Sequence, residues 1–115
     1  MKQQKDAEQK LARLQLLEQN LQVLSAQRQN LQAQLSEIAN ALEELSKTKG
    51  EAYKIISNVM IASDKKDLEK DLNSKKELLE LRIKSVERQE EKMKNDANIL
   101  QSEVLEGLKN AKEHQ

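Results

Sequence analysis

A run of apolar residues spaced alternately three and four positions apart constrains this chain more than any other feature. Nine members are apolar, namely Leu14, Leu17, Leu21, Leu24, Leu31, Leu35, Ile38, Leu42 and Leu45. The tenth member, Arg28, is polar. Such spacing forms one stripe along a helix and is typical of a coiled coil. Because neither proline nor glycine interrupts residues 5–49, the sequence predicts a first helix over residues 1–49 that ends near Gly50.

A second, weaker seam follows in the other half of the chain. Its members are Leu72, Lys76, Leu79, Ile83, Val86, Glu90, Met93, Ala97, Leu100 and Val104. Ser63 and Asp64 are both good N-cap residues for the helix that carries it. The sequence therefore predicts a second helix over residues 63–110 and a frayed tail over residues 111–115.

The two seams match when the chain folds back on itself. Each member of the first seam, taken forward, faces one member of the second seam, taken backward, so that Leu45 faces Leu72 and Leu14 faces Val104. In this register Arg28 faces Glu90, and we expect an ion pair that sets the register of the coiled coil. The alternative is that both side chains extend outward to solvent independently.

The segment YKIISNVMIAS between the helices differs from the rest of the chain. It contains Tyr53, the only aromatic residue, and several β-branched residues. Two strands, over residues 52–56 and 59–62, fit a hairpin that turns at Ser57-Asn58, because asparagine tolerates the left-handed conformation of tight turns. The predicted fold class is mainly α, a long antiparallel two-helix coiled-coil hairpin with a short β-hairpin over residues 50–62 at the bend.

An isolated two-stranded hairpin is marginally stable and leaves its edges unpaired. We therefore expect the hairpins of several subunits to pair with each other. The residues expected to carry this assembly are Tyr53, Ile55, Ile56, Val59, Met60 and Ile61. The alternative is an apolar loop that merely caps the coiled coil.

The ends of the helices opposite the bend hold more apolar residues than one seam requires. The surplus is Leu11 and Leu16 on the first helix, and Ile99, Leu105 and Leu108 on the second. We expect these tip residues to bind the apolar segments of unfolded polypeptides: Leu11, Leu14, Leu16, Leu17, Leu100, Val104, Leu105 and Leu108. The alternative is that they only close the ends of the coiled coil.

Composition excludes several other classes of function. The 20 basic and 20 acidic side chains give no net charge, which argues against nucleic-acid binding, and there is no apolar run long enough for a membrane span. The absence of cysteine excludes disulfides and thiolate metal sites. Because two helices form no pocket for acid–base catalysis, we expect no enzyme activity. We also expect no cofactor and no metal, and a cytoplasmic location as the default.

Three stretches, ALEELS (residues 41–46), AYKIISNVMI (52–61) and RIKSVERQEEKM (82–93), resemble the β-class subunit of prefoldin, most closely the archaeal type. The resemblance covers residues 17–105 and implies a single prefoldin-like domain over residues 1–115. It also implies a hexamer of two α-class and four β-class subunits whose hairpins form a β-barrel platform.

The function implied by this resemblance is that of an ATP-independent holdase subunit. It would capture unfolded polypeptides at its tips and deliver them to a group II chaperonin. A passive coiled-coil scaffold without client binding, or a helical adaptor for one partner, are the alternatives.

Overall fold

Two long helices joined by a two-stranded antiparallel sheet make up the chain. The computed structural model describes the backbone of residues 2–56 and 58–113, and the side chains of residues 5–55 and 58–110. Its elements are α1 (Lys2–Lys47), β1 (Ala52–Ile56), β2 (Val59–Ser63) and α2 (Lys65–Glu113). The predicted class, two long helices around a short β-hairpin, is confirmed. None of the described helices has a segment long and apolar enough to cross a membrane.

The chain divides into a terminal unit, Met1–Arg28 with Val86–Gln115, and a hairpin unit, Gln29–Ser85. In the terminal unit Lys10 Nζ lies 3.2 Å from Glu103 Oε2, and Arg28 Nε lies 2.7 Å from Glu90 Oε1. The partners on α2 run backward as α1 runs forward, so the helices of this unit are antiparallel in the predicted register.

The core of each unit is one layer of side chains from the two seams. In the terminal unit Leu14, Leu24 and Val104 are buried, and in the hairpin unit Leu45, Leu79 and Ile83 are buried. The other members of both predicted seams are half-buried, except Glu90, which is buried. The heptad interpretation of the two runs is therefore confirmed by burial.

The first helix ends at Lys47, two residues before the predicted end, and Gly50 does not have the positive φ of a glycine helix stop. The Ser46 and Thr48 hydroxyls instead donate to the carbonyls of Glu43 and Glu44, at 2.6 and 2.8 Å. The Lys65 ammonium, at the start of α2, donates to the carbonyls of Ser46 and Thr48 at 3.5 and 3.3 Å. These donors give hydrogen bonds to the carbonyls of Glu43, Glu44 and Ser46 in the last turn, and the cation suits the negative end of the helix.

The β-hairpin has the predicted strands, with β2 one residue longer. Ile56 pairs with Val59 and Ala52 with Ser63, so the turn consists of two residues. Asn58 has a φ of 67°, the left-handed conformation expected of it, while Ser57 lies outside the described residues. Ser63 belongs to β2, and Asp64 caps α2 because its Oδ1 accepts from the Lys66 N–H at 3.3 Å.

The second helix continues through Gly107 to Glu113, beyond the predicted end at residue 110; residues 114–115 of the predicted tail lie outside the described part. A Cβ added at Gly107 would lie 3.8 Å from the Ala7 Cβ, which is ordinary van der Waals contact. Glycine inside a helix costs about 0.5–1 kcal/mol relative to alanine. The second helix therefore continues through Gly107 although glycine has a low helix propensity.

We predict that Gly107→Ala raises the free energy of unfolding by about 1 kcal/mol, measured by urea denaturation followed by circular dichroism. Gly50→Ala, at the other glycine, is the control. Because Gly50 lies outside the helices, its gain should be smaller. A loss of stability in Gly107→Ala would show that the added methyl group has less space beside Ala7 than the 3.8 Å distance indicates.

Candidate functional site

The β-hairpin exposes apolar side chains on both of its faces. We call Tyr53, Ile55, Val59, Met60 and Ile61 the hairpin surface; their exposed fractions lie between 46% and 68%. Ile55 pairs with Met60 across the strands, and these two residues share one face of the sheet with Tyr53. Val59 and Ile61 lie on the opposite face, where Ile61 pairs with Lys54. The side chain of Ile56, the sixth predicted assembly residue, lies outside the described part.

Two exposed polar contacts involve the first strand of the hairpin. Lys54 Nζ on β1 lies 3.6 Å from Asp71 Oδ2 on α2. The Tyr53 hydroxyl donates to Glu51 Oε2 at 2.7 Å. This hydrogen bond to a carboxylate is the larger cause, and desolvation the smaller cause, of a Tyr53 pKa above its ordinary value of 10.0. A cleft of about 490 Å³ separates this part of β1 from the helices; Leu45, Tyr53 and Leu72 are among the residues that line it.

The tip residues fall into two groups in the structure. Leu11, Leu16, Leu105 and Leu108 are 44–62% exposed. Leu14 and Val104 are buried at 9% and 7%, and Leu17 and Leu100 are half-buried. Burial in the seam leaves Leu14 and Val104 little surface for contact with another chain. The binding of clients by the eight tip residues stays a prediction.

Further apolar residues are exposed, and one of them, Ile99, belongs to the surplus that the sequence predicts at the tips. Val23 and Ile99 in the terminal unit are 56% and 59% exposed. Leu78 and Leu81 on α2 of the hairpin unit are 50% and 64% exposed. The sequence signal for Val23 and Ile99 is their position one residue before Leu24 and Leu100, which places them beside the seam rather than within it.

The polar layer of the coiled coil is an ion pair between the two seams. Arg28 Nε donates to Glu90 Oε1 at 2.7 Å, and the Glu90 side chain is 8% exposed while that of Arg28 is 29% exposed. The two side chains do not extend outward independently. Misalignment of the helices would leave the buried carboxylate against apolar side chains, and this is the physical basis for a role in register.

A family model for prefoldin subunits matches residues 8–111 of the chain. The chain belongs to the prefoldin family. Prefoldin subunits are chaperone subunits, so the coarse function follows from membership.

Archaeal prefoldin β subunits are among the most similar relatives. The chain is 37% identical over 105 residues to the subunit of Saccharolobus islandicus, covering 90% of this chain and 83% of that protein. It is 43% identical over 86 residues to that of Archaeoglobus fulgidus, covering 73% and 74%. The crystal structure of the prefoldin β subunit from Thermococcus strain KS-1 matches with a TM-score of 0.85 and 28% identity, over 90% of this chain and 92% of that one. The resemblance to archaeal β-class prefoldin is confirmed.

We predict that Arg28→Leu lowers the free energy of unfolding by about 2–3 kcal/mol, because it leaves the buried Glu90 carboxylate without its donor. The double variant Arg28→Leu/Glu90→Leu, which completes both seams with leucine, should be at least as stable as the native chain. Urea denaturation of both single variants and the double variant gives the coupling energy. Additive effects would mean that the pair has no energetic role.

Proposed function

We propose that this chain is a subunit of an ATP-independent holdase that binds unfolded polypeptides and passes them to a group II chaperonin. The observation that carries the proposal is the exposure of large apolar side chains in both units of a chain from a chaperone family. A chain with one layer of core has no interior in which to place these residues. Each exposed set therefore needs a partner, and the two sets suit different partners.

The hairpin surface supports assembly with other subunits. Both faces of the sheet are apolar, and the sheet has only two strands, so that each strand has one edge without a strand beside it. Neighbouring hairpins satisfy the edge hydrogen bonds and cover the apolar faces at once. The partners in this proposal are an α-class subunit and other copies of this chain, as two α and four β subunits around a β-barrel platform.

The exposed tip residues support the binding of non-native clients. Leu11, Leu16, Leu105 and Leu108 are long, unbranched at Cβ and carried by helices, so they adapt to different apolar segments by changing rotamer. Binding by exposed apolar contact requires no nucleotide, cofactor or catalytic group. This mode of action fits a non-enzymatic subunit in the cytoplasm, where newly made chains are released.

We predict that Ile61→Lys, Val59→Lys or Tyr53→Lys dissociates the complex with an α-class subunit into smaller species. Loss of one buried apolar side chain and burial of a charge should weaken association by about two orders of magnitude or more. Analytical ultracentrifugation gives the size distribution. Tyrosine fluorescence gives an independent signal in the native chain, because Tyr53 is the only aromatic residue.

The matched control for these variants is Leu78→Lys, which places the same charge on an exposed leucine of the same unit. It should leave the assembly intact. If the assembly stays intact in all three hairpin variants, the hairpin surface is not part of the interface between subunits.

We predict that simultaneous replacement of Leu11, Leu16, Leu105 and Leu108 by glutamine leaves the assembly intact but raises several-fold the concentration needed to suppress client aggregation. The four side chains are exposed, so their replacement should cost the fold little. Light scattering of several unrelated denatured proteins gives the holdase activity. Leu78→Gln/Leu81→Gln is the control for a general loss of exposed leucine.

The same measurement separates the remaining functions. A native assembly that suppresses aggregation of none of the unrelated clients would be a passive scaffold. Binding of a single protein at fixed stoichiometry, without effect on the others, would indicate a helical adaptor.

A further inference from the structure

The outer edge of each strand of the β-hairpin has free backbone groups. Ile56 and Val59 flank a two-residue turn, and such a pair exchanges its hydrogen bonds within the hairpin. Because hydrogen-bonded and non-hydrogen-bonded pairs alternate along an antiparallel ladder, every second pair turns its N–H and C=O groups outward. These outward pairs are Ile55 with Met60 and Tyr53 with Ala62. Within the part of the chain that the structure describes, no backbone group outside the sheet bonds to them.

The two strands differ in charge. β2 has no charged residue, and its residues from Val59 to Ala62 are all exposed. β1 has Lys54 at its centre, with a side chain that is 44% exposed and an Nζ atom 3.6 Å from Asp71 Oδ2. A lysine on an edge strand opposes pairing with another chain, whereas an exposed and uncharged edge favours it. The edge of β2 is therefore the more open of the two to a further strand.

The central residue of each strand decides how a second copy of the chain would fit. When two identical strands pair antiparallel over their whole length, the central residue lies opposite its own counterpart at a two-fold axis. In β1 this places Lys54 opposite Lys54 of the second copy, and like charges directly opposite each other are destabilising. In β2 it places Ile61 opposite Ile61, a contact between two β-branched apolar side chains.

We propose that two copies of this chain pair through β2, antiparallel and about a two-fold axis at Ile61, so that their hairpins form one continuous sheet. Met60 of each copy then lies opposite Ala62 of the other, and these outward pairs exchange backbone hydrogen bonds in both directions. On this face a long side chain lies beside a small one, and on the other face the two Ile61 side chains meet.

Other alignments of the two β2 strands are poorer. A shift by one residue would set the outward groups of one strand against the inward groups of the other. A shift that keeps the outward groups opposite each other would leave residues at the ends of both strands without a partner. The alignment centred on Ile61 is the one that pairs every residue of β2.

This inference rests on the proposed assembly of subunits and assigns the contact between copies to one of the two strands. The edge of β1 stays open for the α-class subunit. That strand is not self-complementary because of Lys54, so a different chain, without a lysine at the facing position, suits it better than a second copy does.

Disulfide formation tests the proposed alignment, because the chain contains no cysteine and one substitution introduces one thiol per chain. The full chain in complex with its α-class partner is oxidised with diamide and separated by non-reducing electrophoresis. Mass spectrometry identifies dimers of two copies. Ile61→Cys should form such a dimer, since the Cα atoms of a non-hydrogen-bonded pair lie about 4.5 Å apart, within the range of disulfides.

Met60→Cys is the matched control on the same strand. Met60 is 66% exposed and Ile61 is 46% exposed, so random collision would favour a disulfide at Met60. In the proposed alignment the two Met60 residues are diagonal neighbours, more than about 7 Å apart, and at least about tenfold less dimer should form. Ile55→Cys on β1, at 68% exposure, should also form little dimer between copies.

A mixed complex gives a second test that does not alter Ile61. Val59 of one copy lies opposite Ser63 of the other in the proposed alignment, and this pair is also non-hydrogen-bonded. Val59→Cys and Ser63→Cys chains assembled together should therefore form disulfides that neither variant forms alone. Sedimentation before oxidation shows whether each variant still assembles.

As much dimer from Met60→Cys or Ile55→Cys as from Ile61→Cys would overturn the inference, as would a mixed complex that forms no disulfide. If this happens while Ile61→Lys still dissociates the native complex, the hairpin surface remains an interface, but copies do not meet through β2. If the lysine variants also leave the complex intact, the proposed assembly fails as well. Aggregation suppression by the native complex tests the holdase function independently of both results.

Discussion

The packing of one apolar seam against another is the constraint on which the rest of this structure depends. Two helices bury only the stripe that each turns toward the other, and none of the described side chains is completely buried. Leu14 and Val104 in one unit, and Leu45 and Leu79 in the other, belong to this single layer. Many large apolar residues outside it, such as Leu16, Leu81 and Ile99, remain exposed, which makes exposed apolar surface a direct consequence of the architecture.

A polar residue pair affects the alignment of the helices strongly when the core is only one layer of side chains. Glu90 is among the least exposed residues of the chain, although it is charged, and its carboxylate accepts from Arg28 at 2.7 Å. Leucines at every seam position would tolerate a shift of the helices by one heptad, since each leucine would meet another. A shifted register would separate Arg28 from Glu90 and leave a charge in an apolar layer, so we expect the pair to favour one alignment over its neighbours, whatever it contributes to stability.

The sequence was sufficient for the features that depend on local pattern. Heptad spacing predicted both seams, and the residue preferences of Asn58 and Asp64 predicted the turn and the start of α2. It was insufficient where contacts distant in sequence decide. At the end of α1, Lys65 donates to the carbonyl of Ser46 nineteen residues earlier, a contact that no local pattern predicts. The division of the tip residues followed from seam phase, a signal already present in the spacing of Leu14 relative to Leu11 and Leu16.

The two exposed apolar surfaces differ in the backbone that carries them, and this difference suits them to different tasks. The hairpin surface lies on strands, whose free edges demand partners with matching hydrogen bonds, so its partners are specified by geometry. The exposed leucines of the terminal unit lie on helices, whose backbone groups are already satisfied, so binding there depends on side chains alone. Side-chain contact without backbone pairing permits many sequences to bind and release. In the proposed function, the strand edges of the hairpin surface would therefore serve the defined assembly, and the exposed side chains on the helices of the terminal unit would serve the broad range of clients.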